Sequence, residues 1–276
     1  MRRVVPLTLA AGLLATAAAG AETQPWVQLR LDREAVASVW VYIDAKDCPG
    51  AVRTLNEGVA KGYPTVLLLA GAMFESGTCL KPSWARAAEY YQRADAAGHP
   101  RAAARLASGY AAPVGGPDKA AAMWWALRSG AALPEACRSV APLVEDPDRF
   151  VAALKGWPAA LVDACTYVVG VTSTIGGDVE FSNRAEAFGI KGTLTLVFEP
   201  ARDAIELNTQ SIDFIQLDGV VSGNTLLDRQ SKNAKQDFER DIRAAAERAL
   251  KRYPKPAGID PSWKMTQRFV FDYVTR

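Results

Sequence analysis

The chain has 276 residues, with 32 lysines and arginines against 30 aspartates and glutamates and a formal net charge of +2. A balance this even excludes nucleic acid and anionic membrane surfaces as main partners, because both demand a basic excess. Four cysteines without a C-x-x-C pair, and one histidine, His99, in a turn-like stretch, leave zinc chemistry and a histidine-centred triad short of parts.

The sequence opens MRRVVPLTLAAGLLATAAAGAET: two arginines, an apolar run, then Ala19-Gly20-Ala21 before Glu22. That order predicts a secretory signal peptide, residues 1–21, cut after Ala21. The run is alanine-heavy and short of the ~20 residues a spanning helix needs, and no later segment reads as long and apolar enough to span. The expectation is a soluble periplasmic protein, touching a membrane only if the signal stays uncut. In that oxidising compartment the four cysteines are expected to form two disulfides.

EAVASVWVYIDAKD, residues 34–47, reads as a first helix, although its β-branched content leaves a strand open. Three related stretches follow: AVRTLNEGVAKGYP at 51–64, AAEYYQRADAAGHP at 87–100 and AAMWWALRSGAALP at 121–134, starting 36 and then 34 residues apart. A period in this range marks stacked helical hairpins. Each copy reads as a helix, a break, and a proline opening the next helix, where its missing N–H costs nothing. The second helices are expected from TVLLLAGAMF at 65–74, RAAARLASGY at 101–110 and EACRSVAPLV at 135–144. One hairpin cannot bury its own apolar face, and stacking neighbours does so.

Hairpin geometry also proposes a cysteine pairing. Cys48 and Cys79 lie at nearly equal distances on either side of a fold point at Tyr63, so antiparallel helices bring them together; Cys137 and Cys165 are then left for each other. The other two connectivities remain open to sequence reasoning. With both bonds formed, reduction is expected to loosen the helical array before the C-terminal part.

The helix LLLAGAMFESG, the loop after it and AAEYYQRADAAGH with its Gly98-His99 turn resemble Sel-one-like repeats, a tetratricopeptide-related family, over about residues 48–137. The resemblance implies an all-α solenoid in which alanines let helices approach and aromatic pairs pack between hairpins. Tyr90, Tyr91, Trp124 and Trp125 are then core or near-core, with Tyr90 and Trp124 as candidates for a protein-binding concave face.

After Gly170 the period changes. GTLTLVFE at 192–199 alternates, Leu194, Leu196 and Phe198 against Thr193, Thr195 and Val197. DAIELNTQSID at 203–213 is a second strand; KQDFERDIRAAAERALKRYPKP sets Phe238, Ile242, Ala245 and Ala249 at helical spacing; WKMTQRFVFDYVT sets Phe269, Phe271 and Tyr273 on one face of a last strand. This predicts a small α+β domain with a short antiparallel sheet and one amphipathic helix. Its expected limits are 184–276, after a helical domain at 22–169 and a linker at 170–183.

AEAFGIKGTLTLVFE, FERDIRAAAERALKRYPKP and FVFDY resemble the C-terminal domain of the TonB energy-transducer family over about residues 180–276. The resemblance implies a domain that binds a partner by pairing a sheet edge with an extended segment, a strand-addition mode. Residues 263–275 would supply that edge, with Arg268, Val270 and Asp272 pointing outward. The family's membrane helix and Pro-rich spacer have no counterpart, and 214–234 reads as an insertion between second strand and helix.

Together these readings favour a non-enzymatic binding or adaptor protein of the cell envelope, with protein partners such as outer-membrane receptors and no cofactor or metal. A TonB-like transducer or regulator of outer-membrane transport is the alternative. A cell-wall hydrolase is the weaker one, resting on carboxylate pairs such as Asp44 with Asp47 and Glu239 with Asp241.

Overall fold

The computed structural model describes residues 25–114, 117–178, 190–214 and 225–271. The predicted cleavage site, residues 185–189 at the start of the TonB-like stretch, and Asp272 and Tyr273 all lie outside these residues. Six helices come first: α1 (Pro25–Asp44), α2 (Cys48–Ala60), α3 (Pro64–Ser76), α4 (Trp84–Ala96), α5 (Ala102–Ala111) and α6 (Lys119–Arg128).

Local chemistry sets half of their starts. Asp47 accepts from the Gly50 N–H at 2.9 Å, Ser83 from Arg86 at 3.4 Å and Asp118 from Ala121 at 2.9 Å, each satisfying a helix-terminal donor. The ends are also alike. Gly62, Gly98 and Gly130 adopt φ of 70°, 82° and 69°, the left-handed region where a side chain is costly. The next residue then donates to a carbonyl five positions back: Tyr63 to Gly58, His99 to Ala94, Ala131 to Ala126. This closure satisfies carbonyls that the helix end would otherwise leave open.

The helices beginning each unit also touch one another. Arg93 of α4 donates to the Val59 carbonyl of α2 at 3.4 Å, and Arg128 of α6 pairs with Asp95 of α4 at 3.2 Å. Small residues sit where aromatic rings enter: a Cβ at Gly71 would fall 2.4 Å from the Tyr91 ring, and one at Gly109 would fall 1.8 Å from Trp84.

The start of α3 lacks a local cap, since Tyr63 offers no side-chain acceptor. Asp32 of α1 supplies it from a distance. Its buried carboxylate accepts from the Thr65 N–H at 2.9 Å, the Thr65 hydroxyl at 2.6 Å and the Val66 N–H at 3.1 Å. Negative charge at a helix N-terminus is also favoured by the helix dipole. Asp32→Ala is expected to cost about 1–2 kcal/mol and to lower the thermal midpoint, with Asp32→Asn recovering part of the loss. An unchanged midpoint would remove this cap as a stabilising feature.

The third unit departs from expectation. EACRSVAPLV yields one turn, α7 (Glu135–Arg138), and a 3-10 turn at Ala141–Leu143. Pro142 has no N–H, and its ring clashes with the carbonyl four residues back, so the helix cannot run through. After α8 (Pro147–Lys155), a 20-residue helix, α9 (Ala159–Asp178), packs on α5 and α6. It runs across residue 170, where a linker was expected to begin. It is also long and apolar enough to cross a membrane by length and composition, against the expectation that no later segment is; 67% of its apolar window is buried inside the protein.

The sheet consists of β1 (Ile190–Glu199), β2 (Ala204–Phe214) and β3 (Met265–Phe271), antiparallel in the order β2-β1-β3. Leu194, Leu196 and Phe198 are buried on its inner face, and the residues between them are half-buried on the outer one, as the alternation predicts. The amphipathic helix α10 spans Thr225–Arg252. Of the insertion expected at 214–234, Phe214 ends β2 and residues 225–234 open the helix, while 215–224 lie outside the described residues. Ala234 is buried in phase with Phe238 and Ile242, so the apolar stripe extends upstream of the residues that first revealed it.

One buried cluster runs from Leu67 in α3 through α5, α9 and α10 to Phe271 in β3, while a smaller one joins Val39, Leu55, Val66 and Met73 of α1, α2 and α3. The protein is thus mostly helical with a small antiparallel sheet. Both disulfides pair as expected, Cys48 with Cys79 and Cys137 with Cys165, 31 and 28 residues apart. Two such bonds fit an oxidising, extracytoplasmic compartment.

Candidate interaction surface

β1 is the central strand, so β3 pairs on one side only; no other strand among the described residues lies along its outer side. Its inner residues hold it down. Met265 and Phe271 are buried and Phe269 is half-buried, with the Phe271 ring edge-on to Phe238 of α10 at 4.8 Å. Across the outer face Val270 stands opposite Thr193, Arg268 opposite Thr195 and Thr266 opposite Val197. Val270 is 68% exposed. Arg268 is exposed and has no ion-pair partner among the described residues. Asp272, named with them from sequence, is beyond the described strand.

This edge is fixed relative to the helices by a polar seam at the end of α10. Arg252 pairs with Glu75 of α3 at 2.8 Å, and the Tyr91 hydroxyl donates to the same carboxylate at 2.7 Å. The Tyr253 hydroxyl donates to the Ser108 carbonyl at 2.7 Å and so accepts from Thr174 at 2.9 Å. Asp178, at the end of α9, meets Arg105 at 2.7 Å and Arg248 at 3.8 Å. Gly170 admits the Tyr253 ring, since a Cβ there would lie 2.6 Å from it. Burial pushes the Tyr253 hydroxyl up to about 12. Burial and then the Glu75 carboxylate push Tyr91 well above the ordinary phenol range, and burial with the Asp203 hydrogen bond does the same to Tyr167. These hydroxyls act as structural donors across the neutral range.

A groove of about 330 Å³ lies beside the seam, walled by Pro113, Pro117, Tyr167, Tyr253, Pro254 and Pro256. Its polar groups are already engaged: Lys119 pairs with Asp163, itself part of the lining, Tyr167 bonds Asp203, Tyr253 bonds Ser108 and Lys255 bonds the Ala201 carbonyl. The groove therefore presents apolar walls without a converging set of free polar atoms.

The aromatic pairs divide in the same way in both copies. Tyr91 and Trp125 are buried, whereas Tyr90 and Trp124 are half-buried. Tyr90 stacks on Phe74 at 5.5 Å with Arg93 over its ring. Trp124 donates its Nε1 hydrogen to the Val144 carbonyl at 2.8 Å, with Arg128 over its ring. Both rings are engaged in packing, which leaves only part of each for a partner. Of the carboxylate pairs, Asp47 caps α2, and Asp241 is exposed beside Arg240 at 3.5 Å. Among the described residues, no three His, Cys, Asp or Glu side chains gather as a metal site.

No protein-family model matches the chain, nor does any curated protein or solved structure.

Proposed function

We propose that the chain is a periplasmic adaptor without catalytic chemistry of its own, a TonB-like strand-adding sheet joined to a Sel-one-like helical array. It binds an extended segment of an envelope protein along β3, adding it as a fourth strand. The observation that carries this reading is that, among the described residues, no strand pairs with the outer side of β3. An unpaired strand edge is a template for pairing unless something covers or blunts it. The seam through Arg252 and Tyr253 supports an adaptor more than a swinging arm, because it holds the sheet at one orientation to the array.

The test is edge-specific. With the tagged protein crosslinked in the periplasm, Val270→Pro is expected to reduce partner capture by about tenfold or more, because proline removes an N–H and restricts the strand. Arg268→Ala is expected to change capture by less than about twofold, since the pairing runs through main chain. Circular dichroism and the thermal transition of Val270→Pro provide the fold control. A natively folded Val270→Pro that captures every partner of the parent would overturn edge pairing. Outer-membrane receptors among the captured proteins would favour the transport-related form of this reading.

A further inference from the structure

Helix α1 is apolar nearly all round: from Ala35 to Ile43 only Ser38 is polar, and its hydroxyl is bonded to the Glu34 carbonyl. The inner side puts Val39 into the core, with Ala35, Val36, Tyr42 and Ile43 packed beside it. The outer side carries Leu29, Trp40 and Val41, which are 41%, 46% and 65% exposed. Half of the large hydrophobics exposed among the described residues thus sit on one helix, with Trp40 and Val41 adjacent on it. A helix apolar on both sides is normally covered on both, and the end helix of a stack needs a polar outer face to stay soluble. Among the described residues α1 is the first helix of the stack, and its main packing partners are α2 and α3.

The arrangement of residue types along this face indicates what covers it. It is balanced about Ala37, which is exposed and small. Arg30 stands seven residues before Ala37 and Asp44 seven after; Arg33 and Glu34 precede it by four and three, and Trp40 and Val41 follow it by three and four. An antiparallel second copy crossing at Ala37 sets Arg30 against Asp44, and a twofold axis repeats that charge complementarity at the other end. We propose that the outer face of α1 is a homodimer surface, on which a second copy of this chain packs its own α1 antiparallel, crossing at Ala37.

In that arrangement Arg30 of each copy meets Asp44 of the other, giving two equivalent ion pairs at the rim. Trp40 and Val41 lie along the stems of Glu34 and Arg33 of the facing helix, where long charged side chains cover apolar surface well. Ala37 at the crossing lets the helix axes approach. Arg30 already contacts Glu34 at 3.5 Å, but both side chains are more than 60% exposed, so this is a weak surface pair that does not hold Arg30 away from Asp44. The proposal is independent of strand addition at β3.

Sedimentation equilibrium of the intact folded chain tests it. The parent is expected to be a reversible dimer. Trp40→Glu is expected to weaken the dimer by about thirtyfold or more, the effect of losing a central anchor. Arg30→Glu or Asp44→Lys alone is expected to weaken it by about fivefold, and the two together to return it to within about twofold of the parent. Ala37→Cys, in a protein whose cysteines are all paired, is expected to give a disulfide-linked dimer on oxidation. All these positions are exposed, and circular dichroism verifies that each variant is folded. A parent that stays monomeric at the highest concentration reached overturns the proposal. So does a dimer indifferent to Trp40→Glu, or a double charge reversal no tighter than either single one.

Discussion

Cys137→Ala combined with Cys165→Ala is expected to lower unfolding stability by about 3–4 kcal/mol, the loop-closure entropy a bond of this span removes from the unfolded chain. The span is 28 residues. Both cysteines are fully buried, so the bond should also be kinetically protected: exchange needs a thiolate to reach sulfur. Cys48 and Cys79 are half-buried. A mild reductant acting on the folded protein is therefore expected to open Cys48–Cys79 first, leaving Cys137–Cys165 until the fold opens. Denaturant titration of the double variant and timed peptide mapping during reduction check the two halves. A loss below about 1 kcal/mol would place the stabilising effect elsewhere. Because Cys137–Cys165 ties α7 to α9, and α9 shares its core with the sheet, its loss should weaken both halves together. An array that loosens before the sheet is expected only from opening Cys48–Cys79.

Arg252→Met is expected to cost about 2 kcal/mol, below the range for breaking a fully buried pair because both side chains keep some exposure. The Glu75 side chain is 17% exposed and that of Arg252 is 32% exposed. Without the guanidinium, Glu75 keeps the Tyr91 hydroxyl as a donor but holds a largely desolvated charge. Pairing the change with Glu75→Gln is expected to recover more than half of the loss, because the uncompensated carboxylate, rather than the missing contact, is the larger part of it. A double variant no more stable than Arg252→Met would refute that division. Thermal unfolding followed at once by near-ultraviolet and far-ultraviolet signals would show whether sheet and helices still melt together.

The parts of the fold that were legible had their signals written locally. The Gly-Tyr-Pro and Gly-His-Pro turns and the alternation of Leu194, Leu196 and Phe198 each lie within a short window, and the Cys48–Cys79 pairing, though 31 residues long, follows from one such turn at Tyr63. α9 had no such signal. It is buried on nearly every side, so it lacks a polar face and shows no 3.6-residue rhythm. Its valines, threonines and glycines are also poor helix formers. The packing around it overrides that propensity, and Thr166 and Thr172 satisfy their hydroxyls on the carbonyls of Val162 and Val168 within the helix. The start of α10 was hidden by the polar run Ser231-Lys232-Asn233. Of the candidate surface, the edge position of β3 followed from element order. The seam did not, since Arg252 lies 177 residues from Glu75 and Tyr253 lies 145 from Ser108. Asp32 has the same difficulty at 33 residues from Thr65.

The position of α9 in the chain governs the order of assembly during synthesis. α5 and α6, which cover one side of it, are made earlier, while α10 on the other side is made about fifty residues later. Until α10 arrives, a helix apolar enough for a bilayer has one flank bare, and the contacts that close it join residues far apart in the chain, a class that forms slowly. The newly made chain is therefore expected to expose that flank until α10 docks, which makes this helix the step that ends its tendency to aggregate.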